Sequence, residues 1–173
     1  MRKVLFLDRD GTINIDYGYV CQIEKFVLVD GILDLAKAAK QKGYDLIVIT
    51  NQSGIERGYY TDADFQKLTD YMKKIFKENE TPLLDVFYCP SLSGKDRKPN
   101  PGMFLKAKEK YNIYMQASIS VGDKISDIQA ATSAGVGKNL LLSDSGEPNT
   151  IKKITDVIEY LMNGFNSDED GLL

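Results

Sequence analysis

Lys3-Val4-Leu5-Phe6-Leu7-Asp8-Arg9-Asp10-Gly11-Thr12-Ile13-Asn14 is the stretch from which the rest of the chain can be read. Val4 to Leu7 form a short apolar run, the pattern of a strand buried on both faces of a parallel sheet. Asp8 and Asp10 follow at once, and two carboxylates this close stay charged only if a cation or positive side chain compensates them. Gly11 lets the backbone turn sharply where a ligand approaches. The stretch therefore reads as a metal-assisted anion site. The bland reading, a turn at Asp10-Gly11 with Asp8 as a cap, fits these twelve residues equally well. What separates the two is whether the rest of the chain supplies cations and further carboxylates.

Working outward, residues 15–20 are irregular and aromatic, a flap over the site or a cover for the sheet edge. Asp30 suits the N-cap of a helix marked by Ile32, Leu35, Ala36 and Ala39, with Gly43 beyond its end. A second buried strand over 45–50 ends in Thr50-Asn51-Gln52-Ser53, and Thr61 caps a helix carrying Phe65, Leu68, Met72, Ile75 and Phe76. A third strand is expected over 84–88, then a polar loop and a helix with Asn100 as cap and Pro101 at its first position. A fourth strand over 118–121 runs into Gly122-Asp123-Lys124, and Ser126-Asp127 opens a helix closed by Gly135. Leu140 to Leu142 make a fifth strand, and Ile151, Ile154, Val157, Ile158 and Leu161 a last helix.

Strands alternating with helices predict an α/β fold, a doubly wound, Rossmann-like parallel sheet with helices on both faces. The chain reads as one domain over 1–162 with a frayed acidic tail over 163–173. Ligands in such folds sit beyond the carboxyl ends of the strands, and Asp8, Thr50 and Asp123 each stand at one. Asp8, Asp10, Asp123 and Asp127 then offer hard oxygen donors suited to Mg2+. Lys98, just ahead of a helix, adds a cation that attracts an anion.

The composition narrows the chemistry. There is no histidine, which excludes Ser-His-Asp and Cys-His catalysis and histidine-ligated zinc. Cys21 and Cys89 are the only cysteines, too few for a disulfide scaffold, so a reduced cytoplasm is the simplest location. A net charge of -3 argues against a general nucleic-acid binder, and no apolar run suits a signal peptide or membrane span.

Asp8-x-Asp10-Gly11-Thr12, Thr50-Asn51, Lys98 and Gly122-Asp123-x-x-x-Asp127, in that order, resemble the signature of the haloacid dehalogenase superfamily, mostly Mg2+-dependent phosphohydrolases. More narrowly, Phe6 to Asn14, Thr50 to Ile55 and Arg97-Lys98-Pro99-x-Pro101-Gly102-Met103 resemble one subgroup. It contains D-glycero-D-manno-heptose 1,7-bisphosphate phosphatases, which serve surface polysaccharide, and histidinol-phosphate phosphatases. The resemblance implies Asp8 as nucleophile, forming an aspartyl-phosphate, and Asp10 as general acid and then base. It implies Thr50 and Lys98 on the transferring phosphoryl group, and Mg2+ held by Asp8, the Asp10 backbone carbonyl and Asp123. Asp16, Tyr17, Gly18, Tyr19, Asn51, Gln52, Ser53, Arg97 and Lys124 would line the substrate site.

Two features qualify the resemblance. Many members of the subgroup carry a zinc loop with Cys-Pro-x-His and two later cysteines, whereas Cys89-Pro90 is here followed by Ser91-Leu92 and neither downstream cysteine is present. No structural zinc is expected. Between Thr12 and Thr50, and between Thr50 and Lys98, there is room only for sheet-and-helix elements, so no separate cap domain is expected. Arg57, Lys95, Arg97 and Lys124 are candidates for a second anionic group, with surface solubility the favoured role for Arg57 and Lys95. The expected function is removal of the C7 phosphate from a heptose 1,7-bisphosphate by a cytoplasmic monomer that takes a small phosphorylated sugar and neither nucleic acid nor membrane. The alternatives are a histidinol-phosphate phosphatase or a non-catalytic phospho-ligand binding protein.

Overall fold

The structure, a computed structural model, describes residues 1–163; the expected frayed tail, apart from Asn163, lies outside the described residues. The elements run β1 (Lys3–Leu7), α1 (Ile32–Gln41), β2 (Tyr44–Asn51), α2 (Asp62–Glu78), β3 (Asp85–Cys89), α3 (Gly102–Tyr111), β4 (Ile119–Gly122), α4 (Ile125–Ser133), β5 (Lys138–Leu142), β6 (Thr150–Ile151) and α5 (Asp156–Asn163). Among these residues the strands form one parallel sheet in the order β3-β2-β1-β4-β5-β6.

β1 lies at the centre because it is apolar on both faces. Leu5 and Leu7 pack with Leu46 and Val48 of β2 against α1, α2 and α5, through Leu35, Leu68, Phe76 and Val157. Val4 and Phe6 pack with Ile47 and Ile49 on the opposite face, against Phe104 of α3 and Ala130 of α4. The period-2 alternation of the strand thus feeds two cores, which explains the uninterrupted hydrophobic run. Chain order reverses on either side of β1, where β2 and β4 flank it. The ends of β1 and β4 therefore open onto a switch-point crevice.

Several element ends differ from expectation, each for a local reason. Gly31 rather than Asp30 flanks α1, because the backbone there is left-handed (φ 81°) and a Cβ would stand 2.6 Å from Thr155. Pro101 is itself the flanking residue of α3, and the Asn100 side chain donates to the Gly94 carbonyl. Ile151 is not helical: it pairs with Leu142 in β6, a strand the sequence reading did not foresee. Thr61 caps α2 as expected, its hydroxyl accepting from Asp64 N–H at 3.1 Å while the Asp64 carboxylate accepts from Thr61 N–H at 2.9 Å. No helix among the described residues is long and apolar enough to cross a membrane.

Candidate active site

Asp8 continues β1 by one residue, and its N–H donates to the Val121 carbonyl of β4 at 3.0 Å. That bond puts its carboxylate at the mouth of the crevice yet leaves it only 8% exposed. Lys98 approaches from the loop ahead of α3 and is buried. Its Nζ donates to Asp8 Oδ1 at 2.8 Å and to the Ile49 carbonyl at 2.8 Å, and stands 2.6 Å from Asp127 Oδ1. Asn51 fixes the Lys98 backbone from both sides: its Oδ1 accepts from Lys98 N–H at 3.0 Å, and its Nδ2 donates to Lys98 O at 3.1 Å. Asp127 is in turn held by the Lys124 N–H, which donates to Oδ2 at 2.9 Å.

One ammonium therefore serves two buried carboxylates. Burial pushes the Asp8 carboxyl well above its usual range; Lys98 opposes this, and Asp127 and Asp10 add to it. Lys98 is held above its ordinary value: burial alone would lower it, but Asp8 and Asp127 outweigh that. Asp123 is likewise raised, first by burial, with Lys124 working against and Asp127 reinforcing it.

Oxygens of Asp8, Asp123 and Asp127 lie within 4.8 Å of one another. Asp123 Oδ1 is buried without a hydrogen-bond partner. Gly11 makes this approach possible, since its backbone is left-handed (φ 86°) and a Cβ there would sit 2.2 Å from Asp123 Oδ2. An all-oxygen set with an unsatisfied acceptor fits a hard divalent cation such as Mg2+. Asp127, one of the four oxygen donors read from the sequence but not among the ligands the resemblance implied, belongs to this group, whereas the Asp10 carboxylate stands outside it.

Asp10 is surrounded by donors instead. Arg9 Nη2 donates to Oδ1 at 2.9 Å and to Oδ2 at 3.0 Å, Asn14 Nδ2 to Oδ1 at 3.1 Å, and Gln52 Nε2 to Oδ2 at 2.9 Å. Gln52, expected against substrate, lines the pocket but spends its amide inward. Its Nε2 also donates to Thr50 Oγ1 at 2.9 Å, and its Oε1 accepts from Tyr60 at 2.5 Å. The Tyr60 hydroxyl is pushed up to about 12, chiefly by burial.

Above these groups lies a cavity of about 540 Å3. Asp8, Asp10, Thr50, Lys98 and Asp127 form part of its lining, and Asp16, Gly18, Tyr19, Asn51, Gln52, Ser53, Arg97 and Lys124 join it from the surrounding segments. Arg57, assigned above to surface solubility, also lines it. Tyr17 lines the neighbouring groove with Cys21 and Gln22 instead. Asp123 lies on the far side, in a cavity shared with Gly11, Asp30 and Lys152. Lys124 Nζ stands 3.7 Å from Asp16 Oδ2, so residues 16–20 fold over the site as a flap, with the Tyr19 ring edge-on to Tyr59 at 4.7 Å. The polar loop 91–100 closes on itself, with Arg97 Nη1 donating to the Ser91 carbonyl at 3.1 Å.

Arg9, Asn14 and Tyr60 were absent from the sequence-based set of site residues. Alternation along β1 could have separated Arg9 from its two aspartate neighbours, but its burial depends on partners distant in sequence.

The family model described as Polynucleotide kinase 3 phosphatase matches residues 3–161. A relative from Burkholderia mallei, named D-glycero-alpha-D-manno-heptose-1,7-bisphosphate 7-phosphatase, is 51% identical, with 92% of this chain and 93% of the relative covered. One from Escherichia coli strain K12, named for the beta anomer, is 43% identical over 84% of this chain and 81% of its own. A solved structure of D,D-heptose 1,7-bisphosphate phosphatase from B. bronchiseptica, complexed with magnesium and phosphate, superposes with a TM-score of 0.83. That structure is 26% identical and covers 93% of this chain and 98% of its own.

Proposed function

This chain belongs to the polynucleotide kinase 3 phosphatase family and is a phosphomonoester hydrolase, and from that premise we propose that it removes the C7 phosphate of a D-glycero-D-manno-heptose 1,7-bisphosphate. The observation that carries the chemistry is the Lys98 ammonium, 2.8 Å from Asp8 and 2.6 Å from Asp127, at the base of a cavity whose lining includes Arg57, Arg97 and Lys124. A basic lining beside a nucleophile suits a small substrate bearing a second phosphate. The size of the cavity suits a small molecule rather than a polymer track.

The carboxylate of Asp8 attacks phosphorus in line, forming a covalent acyl phosphate, while the C7 oxygen leaves and takes a proton from Asp10. Asp10, now ionised, accepts a proton from the water that attacks phosphorus in the second step. Inorganic phosphate departs and the Asp8 carboxylate is restored. Lys98 and the Thr50 hydroxyl face the transferring phosphoryl oxygens, and Asn51 keeps Lys98 in place. Asp8, Asp123 and the Asp10 backbone carbonyl, with Asp127 nearby, would hold Mg2+, which would supply positive charge that offsets repulsion between carboxylate and phosphate. The enzyme acts as a cytoplasmic monomer, without structural zinc and without nucleic acid.

Phosphate release with Mg2+ from both heptose 1,7-bisphosphate anomers, histidinol phosphate and a 3′-phosphorylated oligonucleotide tests this reading. Preference for either bisphosphate anomer supports it. Preference for histidinol phosphate or the oligonucleotide overturns the substrate while keeping the chemistry, and inactivity on all four contradicts both.

A further inference from the structure

The largest fully buried side chain among the described residues is not an aromatic but Arg9, 1% exposed, between the two aspartates of the opening stretch. Its Nε and Nη2 donate to Asp10 Oδ1 at 3.2 and 2.9 Å, and Nη2 also reaches Oδ2 at 3.0 Å. The same Nη2 donates to the Val20 carbonyl at 2.5 Å. Val20 ends the flap whose Asp16, Gly18 and Tyr19 line the pocket. One guanidinium thus binds both a carboxylate in the site and the backbone of the segment that covers it.

Burying a full charge is costly, and a well-packed apolar side chain would serve a purely structural purpose as well or better. A rigid planar fork, by contrast, fixes the orientation of its partner, which a point charge does not. From the other side Asp10 Oδ2 accepts from Gln52, whose own carbonyl is engaged by Tyr60. The carboxylate is gripped at both oxygens and has lost its freedom to swing. Proton transfer is sensitive to such placement, because the proton must travel along a short, aligned path.

We propose that Arg9 is a positioning residue, holding the Asp10 carboxylate in register with the flap through its shared bond to the Val20 carbonyl. This rests on the reading of Asp10 as the acid–base group. Arg9 neither reaches substrate nor carries the proton; its effect on the chemistry runs through Asp10.

The test is a double-mutant cycle with the full chain and Mg2+: wild type, Arg9→Gln, Asp10→Asn and the pair, each turning over heptose 1,7-bisphosphate. A parallel arm follows single-turnover phosphoryl transfer from p-nitrophenyl phosphate, whose leaving group departs without a proton. Arg9→Gln is expected to lower kcat about 100-fold on the alkyl phosphate with KM changed less than about threefold, and to slow the aryl transfer less than about fivefold. In the Asp10→Asn background the same change is expected to cost less than about threefold, since its only route of action is gone. Equal losses on both substrates, an undiminished loss beside Asp10→Asn, or a wild-type Arg9→Gln enzyme would overturn the proposal. A fully active Asp10→Asn variant would instead overturn the reading of Asp10 on which it rests. Should Arg9→Gln not fold, Arg9→Lys keeps the charge and stem without the fork. About a tenfold loss of kcat, absent beside Asp10→Asn, is then expected, and unchanged kcat would contradict the proposal.

Discussion

At Asp8, itself buried, the neighbours are one ammonium and two further carboxylates, Asp127 buried and Asp123 half-buried. At Asp10, two residues along the same segment, they are a guanidinium and two side-chain amides, every one a donor. The first surrounding is poor in donors and concentrates negative charge. The second satisfies both carboxylate oxygens and fixes their direction. Two aspartates of identical chemistry thereby have different surroundings, which on the proposed mechanism suit the one to take up a cation and meet phosphorus and the other to pass a proton. The difference comes from which distant segments arrive at each, the loop of Lys98 for one and the end of β2 with the flap for the other.

The hardest blow to this contrast is at Asp8. Asp8→Asn should abolish turnover, about 10⁴-fold or more, while the fold persists, because on the proposed mechanism Asp8 is the group that forms the acyl phosphate. Asp10→Asn should cost less, about 10² to 10⁴ in kcat, the usual contribution of an acid–base group. Steady-state phosphate release on both variants checks this, and equal losses would erase the distinction. Lys98→Ala attacks the first surrounding through stability as well. It leaves two buried carboxylates without their ammonium, so thermal unfolding should report a loss of about 3–5 kcal/mol together with lost activity.

Gly11→Ala is expected to be milder. A Cβ 2.2 Å from Asp123 Oδ2 at a left-handed position should cost about 1–3 kcal/mol and weaken Mg2+ stabilisation in calorimetry, with Asp10 and its donors undisturbed. Smaller still is the dependence on pH. Burial raises Asp8 and Asp123 above the ordinary 3.8, so without Mg2+ their contribution to stability is fully present below that value and is lost as pH rises through their folded values. Asp85 behaves oppositely. Burial would raise it, but hydrogen bonds from Lys110, Tyr111 and Val86 N–H win and hold it low. Its contribution is present above 3.8 and disappears as pH falls through its folded value. Unfolding curves across pH should therefore flatten on the acid side in Asp85→Asn and on the less acidic side in Asp8→Asn. Thr61→Ala is the control remote from both regions, expected to cost about 1 kcal/mol with kcat unchanged.

What could be read from the sequence follows the same division. β1, β2 and β4 announce themselves as apolar runs, so the ends that carry Asp8, Thr50 and Asp123 were legible, and with them the crevice. β6 was not, because two residues paired with β5 leave no periodic trace, and Ile151 falls three residues before Ile154 as though helical. The start of α1 was misplaced by one residue because the collision with Thr155 that selects Gly31 is a tertiary fact. Asp127 was visible as a fourth oxygen donor, but its closeness to Asp8 and Asp123 was not, since that depends on how α4 is seated. Arg9 was least legible of all. An arginine between aspartates at a strand end reads as a solvent-facing charge, and only the arrival of Val20 and Phe65 makes it a buried one.

The most direct test of the division between the two aspartates is to trap the covalent intermediate. The Asp10→Asn variant is mixed with Mg2+ and p-nitrophenyl phosphate, quenched in acid, reduced with borohydride and mapped by peptide mass. An acyl phosphate on aspartate is reduced to homoserine, and the account predicts that conversion at Asp8 alone. Homoserine at Asp123 or Asp127, or no trapped adduct while the wild-type enzyme turns over normally, would contradict it.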